Sequence, residues 1–190
     1  MQPQPASQDV NGVDVSKLFG TIEAIKQTPS LATFRFRTMN KWHGGGLNQT
    51  TVKTFYGAGQ EFPERDGKFS MQADEAPVLL GTDKAANPVE HLLHALASCV
   101  TTSMVYHAAA RGIHIEEVES YLEGDIDLHG FLNLDRRVRK GCQGIRVNFK
   151  IKADVPDAQL QEIAQLGPGF SPVFDSLTNG VPIAVSAKRL

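Results

Sequence analysis

Two thiols, Cys99 and Cys142, are the side chains of this 190-residue chain best suited to nucleophilic or redox chemistry. Cys99 stands inside NPVEHLLHALASCVTTSM, a run with helical periodicity. At about 100° per residue its face is shared by Leu92, Ala95, Leu96, Ser103 and Tyr106, an apolar setting with one hydroxyl and one phenol. A reactive thiolate requires a neighbouring cation, base or helix N-terminus, and a mid-helix position supplies no dipole. A free cysteine on such a face also packs as a small hydrophobe. His91, His94 and His107 lie on the same helix at azimuths of about −80°, −140° and +80° from Cys99, too divergent to share a metal. HLLH is not HExxH, so no metal site is expected. Cys142 follows Gly141 at the start of a strand pattern and reads as a partly exposed neutral thiol.

The helix that carries Cys99 has clear ends. Asn87 is a good N-cap, Pro88 suits the first helical position, and Glu90 sits in the first turn, where the dipole favours an acid. Arg111 and Gly112 mark the far end. Over about 24 residues the helix reaches about 36 Å, and Leu92, Leu93, Leu96, Val100, Met104 and Val105 leave little of it polar, which predicts a central buried helix.

Around it the pattern is mainly β. Residues 18–37 hold LFGTIEAIKQ and LATFRFRT on either side of Thr28-Pro29-Ser30, with Ala32, Phe34 and Phe36 alternating, and read as strand, turn, strand. The glycine-rich stretch 41–48 leads into TTVKTFYG, a third strand, and 58–81 reads as a hairpin or ordered loop. Ile126 and Leu128, then Ile145, Val147, Phe149 and Ile151, recur every second residue and predict two antiparallel strands. Between them Arg136, Arg137, Arg139 and Lys140 form a basic run whose plainest reading is a solvated loop. Val155-Pro156 and Ser171-Pro172 open two helices, Asn179-Gly180 closes the second, and VPIAVSAKRL reads as a last strand. Separate blocks of strand and helix argue for an α+β fold.

Composition narrows the function classes. A formal charge of −2, from 19 basic and 21 acidic residues, provides no basic field for nucleic acid. No stretch has the ~18 apolar residues of a membrane span and the start has no secretory pattern, so no membrane partner is expected. Two cysteines without CxxC spacing fit reduced thiols in the cytoplasm. Residues 1–15, polar and containing Pro3 and Pro5, read as a flexible arm before a single domain over 16–190.

NPVEHLLHALASC, the Gly-Asp-Ile-Asp hairpin and SPVFDSLTNGVPIAV, in that order, resemble the OsmC/Ohr superfamily over residues 49–190. That resemblance implies antiparallel sheets around a long buried helix, in an intertwined homodimer with sites built by both chains. In the family's peroxidase branches the helical cysteine attacks organic hydroperoxides, a glutamate and an arginine assist, and a second cysteine resolves the sulfenic acid. Cys99 matches the attacking position. The family glutamate falls on Val89, with Glu90 beside it but about 180° from Cys99, and the resolving cysteine falls on Ser171. The arginine is unassigned among Arg35, Arg37 and Arg65. The chain therefore resembles the broader OsmC-like group and not a faithful Ohr peroxidase.

Three functions follow from this reading. One is a one-cysteine thiol peroxidase in oxidative stress defence, in which Cys99 acts, Glu90 or Ser171 supports it, no cofactor is needed and an external thiol is the reductant. Another is a non-catalytic protein binding a small apolar ligand at the dimer seam, in a pocket lined by Leu92, Leu96, Phe170 and Phe174. A structural or interaction role is the third.

Overall fold

The computed structural model describes residues 9–189, in which the chain forms two compact units. Residues 14–92 make up most of the first; residues 10–13 and 93–189 belong to the second.

The first unit opens with helix α1 (Val15–Gln27), where a strand was expected. Asp14 caps it by accepting a hydrogen bond from Lys17 N at 3.0 Å, and Val15, Leu18, Ile22 and Ile25 recur at helical spacing. The β-branched content of this stretch favours a strand, but the cap and the period prevail. Of the expected flexible arm, residues 1–8 lie outside the described residues. The rest is ordered, with β1 (Asp9–Val10) and β2 (Val13–Asp14) forming a two-stranded hairpin before α1. The alternating Phe34 and Phe36 contribute only an isolated bridge, Arg35 to Tyr56, and not a strand. Strands β3 (Thr38–Gly44), β4 (Leu47–Val52) and β7 (Ser70–Ala73) make an antiparallel sheet in the order β3-β4-β7, so the glycine-rich stretch is itself a hairpin turn between strands. Strands β5 (Phe55–Gly57) and β6 (Gln60–Phe62) form a second small hairpin.

Helix α2 (Pro88–Ala109) spans the boundary between the units. Its start is a capping box: Asn87 Oδ1 accepts from Glu90 N at 2.8 Å and Glu90 Oε2 from Asn87 N at 2.8 Å. At its end Gly112 takes φ 69°, the left-handed conformation that glycine adopts without strain.

In the second unit β8 (Glu117–Asp125) and β9 (Gly144–Lys152) pair antiparallel along their whole length. The first of these strands ends at Asp125, so Leu128 does not continue it but begins the one-turn helix α3 (Leu128–Phe131), capped by Asp127. The basic run lies in the exposed connection after α3. Helices α4 (Asp157–Phe170) and α5 (Pro172–Asn179) follow. Residues 181–189 have no regular structure, contrary to the expected strand: alternation specifies a strand face, but a strand also needs a hydrogen-bonded neighbour. Met104, Ala108, Ile115 and Ile163 form the core, packed by Val118, Phe149, Ile151 and Leu166. Among the described residues no helix is long and apolar enough to cross a membrane.

Candidate functional site

Leu96, Val100, Met104 and Ala108 recur at i, i+4 and form the buried stripe of α2. Cys99 lies beside that stripe, half-buried and free. The C-terminal part of α4 runs alongside: Gly167 approaches the Val100 carbonyl so closely that a Cβ there would stand 2.8 Å from the oxygen. One turn beyond Cys99, the Ser103 hydroxyl donates to the Phe170 carbonyl at 3.4 Å. His107, a further turn on, stacks on the Phe170 ring at 3.7 Å and 15°. Burial first, and the Arg111 charge second, lower the pKa of the His107 imidazole and favour its neutral form.

This seam places the α4–α5 junction against the turn of α2 that follows Cys99. At the junction stands Ser171, only 2% exposed, whose Oγ accepts from Phe174 N at 3.1 Å and so caps α5. Glu90 is committed elsewhere, its carboxylate closing the capping box. Val89 is half-buried in the first turn of the helix. Cys142 is half-buried too: its Sγ stands 3.7 Å from the place a Cβ on Gly124 would occupy, where Leu93 and Ile145 also converge.

A cavity of about 600 Å³ lies between β9 and α4. Val100, Val147, Phe149, Leu160 and Phe174 give it apolar walls, and Asn148, Gln161 and Gln165 add amides. A neighbouring hollow is lined by Phe170, Ser171 and Phe174. Of the four pocket residues expected from sequence, Phe170 and Phe174 line these hollows, Leu96 is buried and Leu92 is half-buried on α2.

The three arginines separate clearly. Arg37 is held by Glu61 in a two-pronged pair at 2.8 and 2.9 Å, which raises its own pKa and lowers that of Glu61. Arg35 is exposed on the bridge to Tyr56. Arg65 lies over aromatic rings, 4.7 Å from the Phe69 centroid and 5.8 Å from that of Phe55. Sequence reasoning did not reach this aromatic setting, nor the Ser103 and His107 contacts with Phe170. The available signals were the density of phenylalanine over 34–69 and a serine and a histidine one and two turns after Cys99.

Antiparallel hairpins, a long helix bearing a free thiol and two carboxy-terminal helices define an α+β thiol protein. The chain belongs to the OsmC-like protein family, whose model matches residues 81–186. It is similar in fold to an OsmC-like protein from Mycoplasma pneumoniae (TM-score 0.59, 15% identity, covering 75% of this chain and 86% of that one). An organic hydroperoxide resistance protein OsmC from Legionella pneumophila gives TM-score 0.56 and 16% identity over 76% of this chain and 90% of that one. An OsmC-like protein of unknown function from Vibrio cholerae gives 0.53 and 14% over 76% and 94%. A search of curated proteins finds no match.

Proposed function

We propose that the protein is a one-cysteine thiol peroxidase acting on organic hydroperoxides in the cytoplasm. The observation that carries this reading is the free, half-buried Cys99 on a long helix of an OsmC-like fold, flanked by the seam that carries Ser171, the residue the resemblance aligns with the family's second cysteine. In the first step the Cys99 thiolate attacks one peroxide oxygen and the O–O bond breaks. The alcohol leaves after taking a proton, and sulfur is oxidised to a sulfenic acid. Because Ser171 has no thiol, an external thiol then attacks that sulfur and releases water, and a second thiol displaces the mixed disulfide to restore Cys99. No cofactor enters the cycle. The relative described as a hydroperoxide resistance protein supports the substrate class. Homodimer formation belongs to this reading.

The test is hydroperoxide consumption with dithiothreitol as reductant. Cys99→Ser should abolish turnover, and Cys142→Ser should retain most of it, since Cys142 packs against Gly124 on β8. Loss of activity in Cys142→Ser alone would mean that a two-thiol cycle runs through that residue.

The cavity between β9 and α4 supports a second reading, a binding protein for a small apolar molecule, since its volume falls in the range of ligand pockets. Saturable binding of an apolar ligand that persists in Cys99→Ser, with no peroxide consumed by the wild type, would favour it.

A further inference from the structure

Four phenylalanines of the first unit stack as a ladder. Phe55 and Phe62 lie parallel at 4.4 Å, Phe36 stands 5.5 Å from Phe55, and Phe34 stands 6.1 Å from Phe36. The ladder is not sealed, for Phe36 is 72% exposed and Phe34 50%. One cation stands at its edge, and a second shares the Phe69 ring with it. Arg65 lies over both Phe55 and Phe69, and Lys68 Nζ stands 5.5 Å from the same Phe69 ring. Neither cation has an acidic partner among the described residues. Of the nearby acids, Glu61 is engaged by Arg37 and Asp66 by Lys53, while Glu64, beside Arg65 in sequence, forms no ion pair with either cation among the described residues. Arg65 Nε is buried with no hydrogen-bond acceptor.

A guanidinium that has lost water from one donor and gained no acceptor carries an uncompensated penalty, and a second cation on the same ring adds repulsion. An anion at the outer Nη donors of Arg65 would compensate the charge of the guanidinium and ease its repulsion with Lys68. A planar apolar body attached to that anion would extend the stack at the exposed Phe36 ring, since Arg65 and Phe36 both flank Phe55. We infer that Arg65, Lys68 and the phenylalanine ladder form a binding site for a planar organic monoanion, an aromatic or conjugated carboxylate. Arg65 supplies the paired donors that a carboxylate matches, Lys68 adds charge, and Phe36 and Phe55 select a flat body. The site uses none of the residues of the Cys99 seam, so it goes beyond the peroxidase reading.

Isothermal titration with 2-naphthoate tests this, beside 2-naphthylmethanol, which keeps the ring without the charge, and acetate, which keeps the charge without the ring. Naphthoate is expected to bind saturably, more weakly as salt is raised, with the alcohol and acetate at least about ten-fold weaker. Arg65→Gln and Phe36→Ser should each cost about ten-fold, whereas Cys99→Ser should bind as the wild type does. The proposal is overturned by equal binding of the alcohol, by unchanged affinity in Arg65→Gln, or by no saturable binding at millimolar naphthoate. Should Arg65→Gln fail to fold, Lys68→Gln at an exposed position decides, and unchanged affinity there overturns it as well. Because Cys99→Ser is assayed alongside, failure of this site leaves the peroxidase test untouched.

Discussion

Asp74 is 1% exposed, and its Oδ2 accepts three hydrogen bonds, from Thr82 N at 3.1 Å, Thr82 Oγ1 at 2.5 Å and Lys84 N at 3.2 Å. It thereby ties the end of β7 to the loop that leads into α2. The Thr82 hydroxyl foremost, then the Glu75 backbone N–H, outweigh burial and, with the Lys84 and Thr82 backbone N–H groups, hold its carboxyl down at about 2, against an ordinary 3.8. A depressed carboxylate stabilises the fold fully above its unfolded pKa and loses that contribution as pH falls through the folded value. The thermal midpoint should therefore fall between about pH 4 and 2 in the wild type. Asp74→Asn should start lower at neutral pH and show a shallower fall over the same window, as read by circular dichroism melts. A wild-type midpoint that does not move there would refute the assignment. Sequence could not reach Asp74, because its partners come from a separate loop and a lone aspartate resembles any other. Cys99 and Ser171 were legible, since each sits in a local signature: an Asn-Pro helix opening upstream of the thiol, and a Ser-Pro cap.

Elements were legible where the end signals and the period agreed. The helix carrying Cys99 was found to within two residues because Asn87, Pro88 and Gly112 coincide with its apolar repeat. The first helix was missed because its β-branched residues and Gly20 obscured a 3.6-residue stripe behind a good aspartate cap. What sequence could not give at this scale is the seam between α2 and α4, which rests on Gly167. Replacing that glycine by alanine gains about 1 kcal/mol of intrinsic helix propensity. The new Cβ, however, would stand 2.8 Å from a backbone carbonyl that cannot rotate away, and overpacking of this kind costs about 1–3 kcal/mol. The steric cost prevails. Gly167→Ala should be less stable by roughly 1 kcal/mol in urea denaturation with an unchanged slope. A more stable variant would show that the helices separate freely. Since the seam sets the turn of α2 after Cys99, the same variant should also lower peroxide turnover.

At the scale of the molecule the notable feature is how much apolar surface one chain leaves uncovered. Ile183 is 82% exposed and Val185 91%, in an irregular segment whose sequence alternates as a strand's does but which pairs with no strand among the described residues. Val78 at 86% and Leu80 at 94% are as open. Scattered apolar residues on a surface need no explanation, but an alternating apolar pair outside any sheet is a sequence pattern for a strand that lacks its partner. A second copy of the chain would supply such a partner for a strand pattern that one chain does not fulfil. We therefore expect a homodimer, and sedimentation equilibrium at micromolar concentration should give twice the chain mass of 20.7 kDa. Replacing Ile183 and Val185 together by serine should leave the core of Met104, Ala108, Ile115 and Ile163 intact, since neither residue touches it, while shifting the equilibrium toward monomer. If the site is shared between copies, peroxide turnover should fall in step with the dimer fraction as the protein is diluted. A wild type that sediments as a monomer would remove the dimer, and turnover independent of dilution in the double variant would place the whole reaction within one chain.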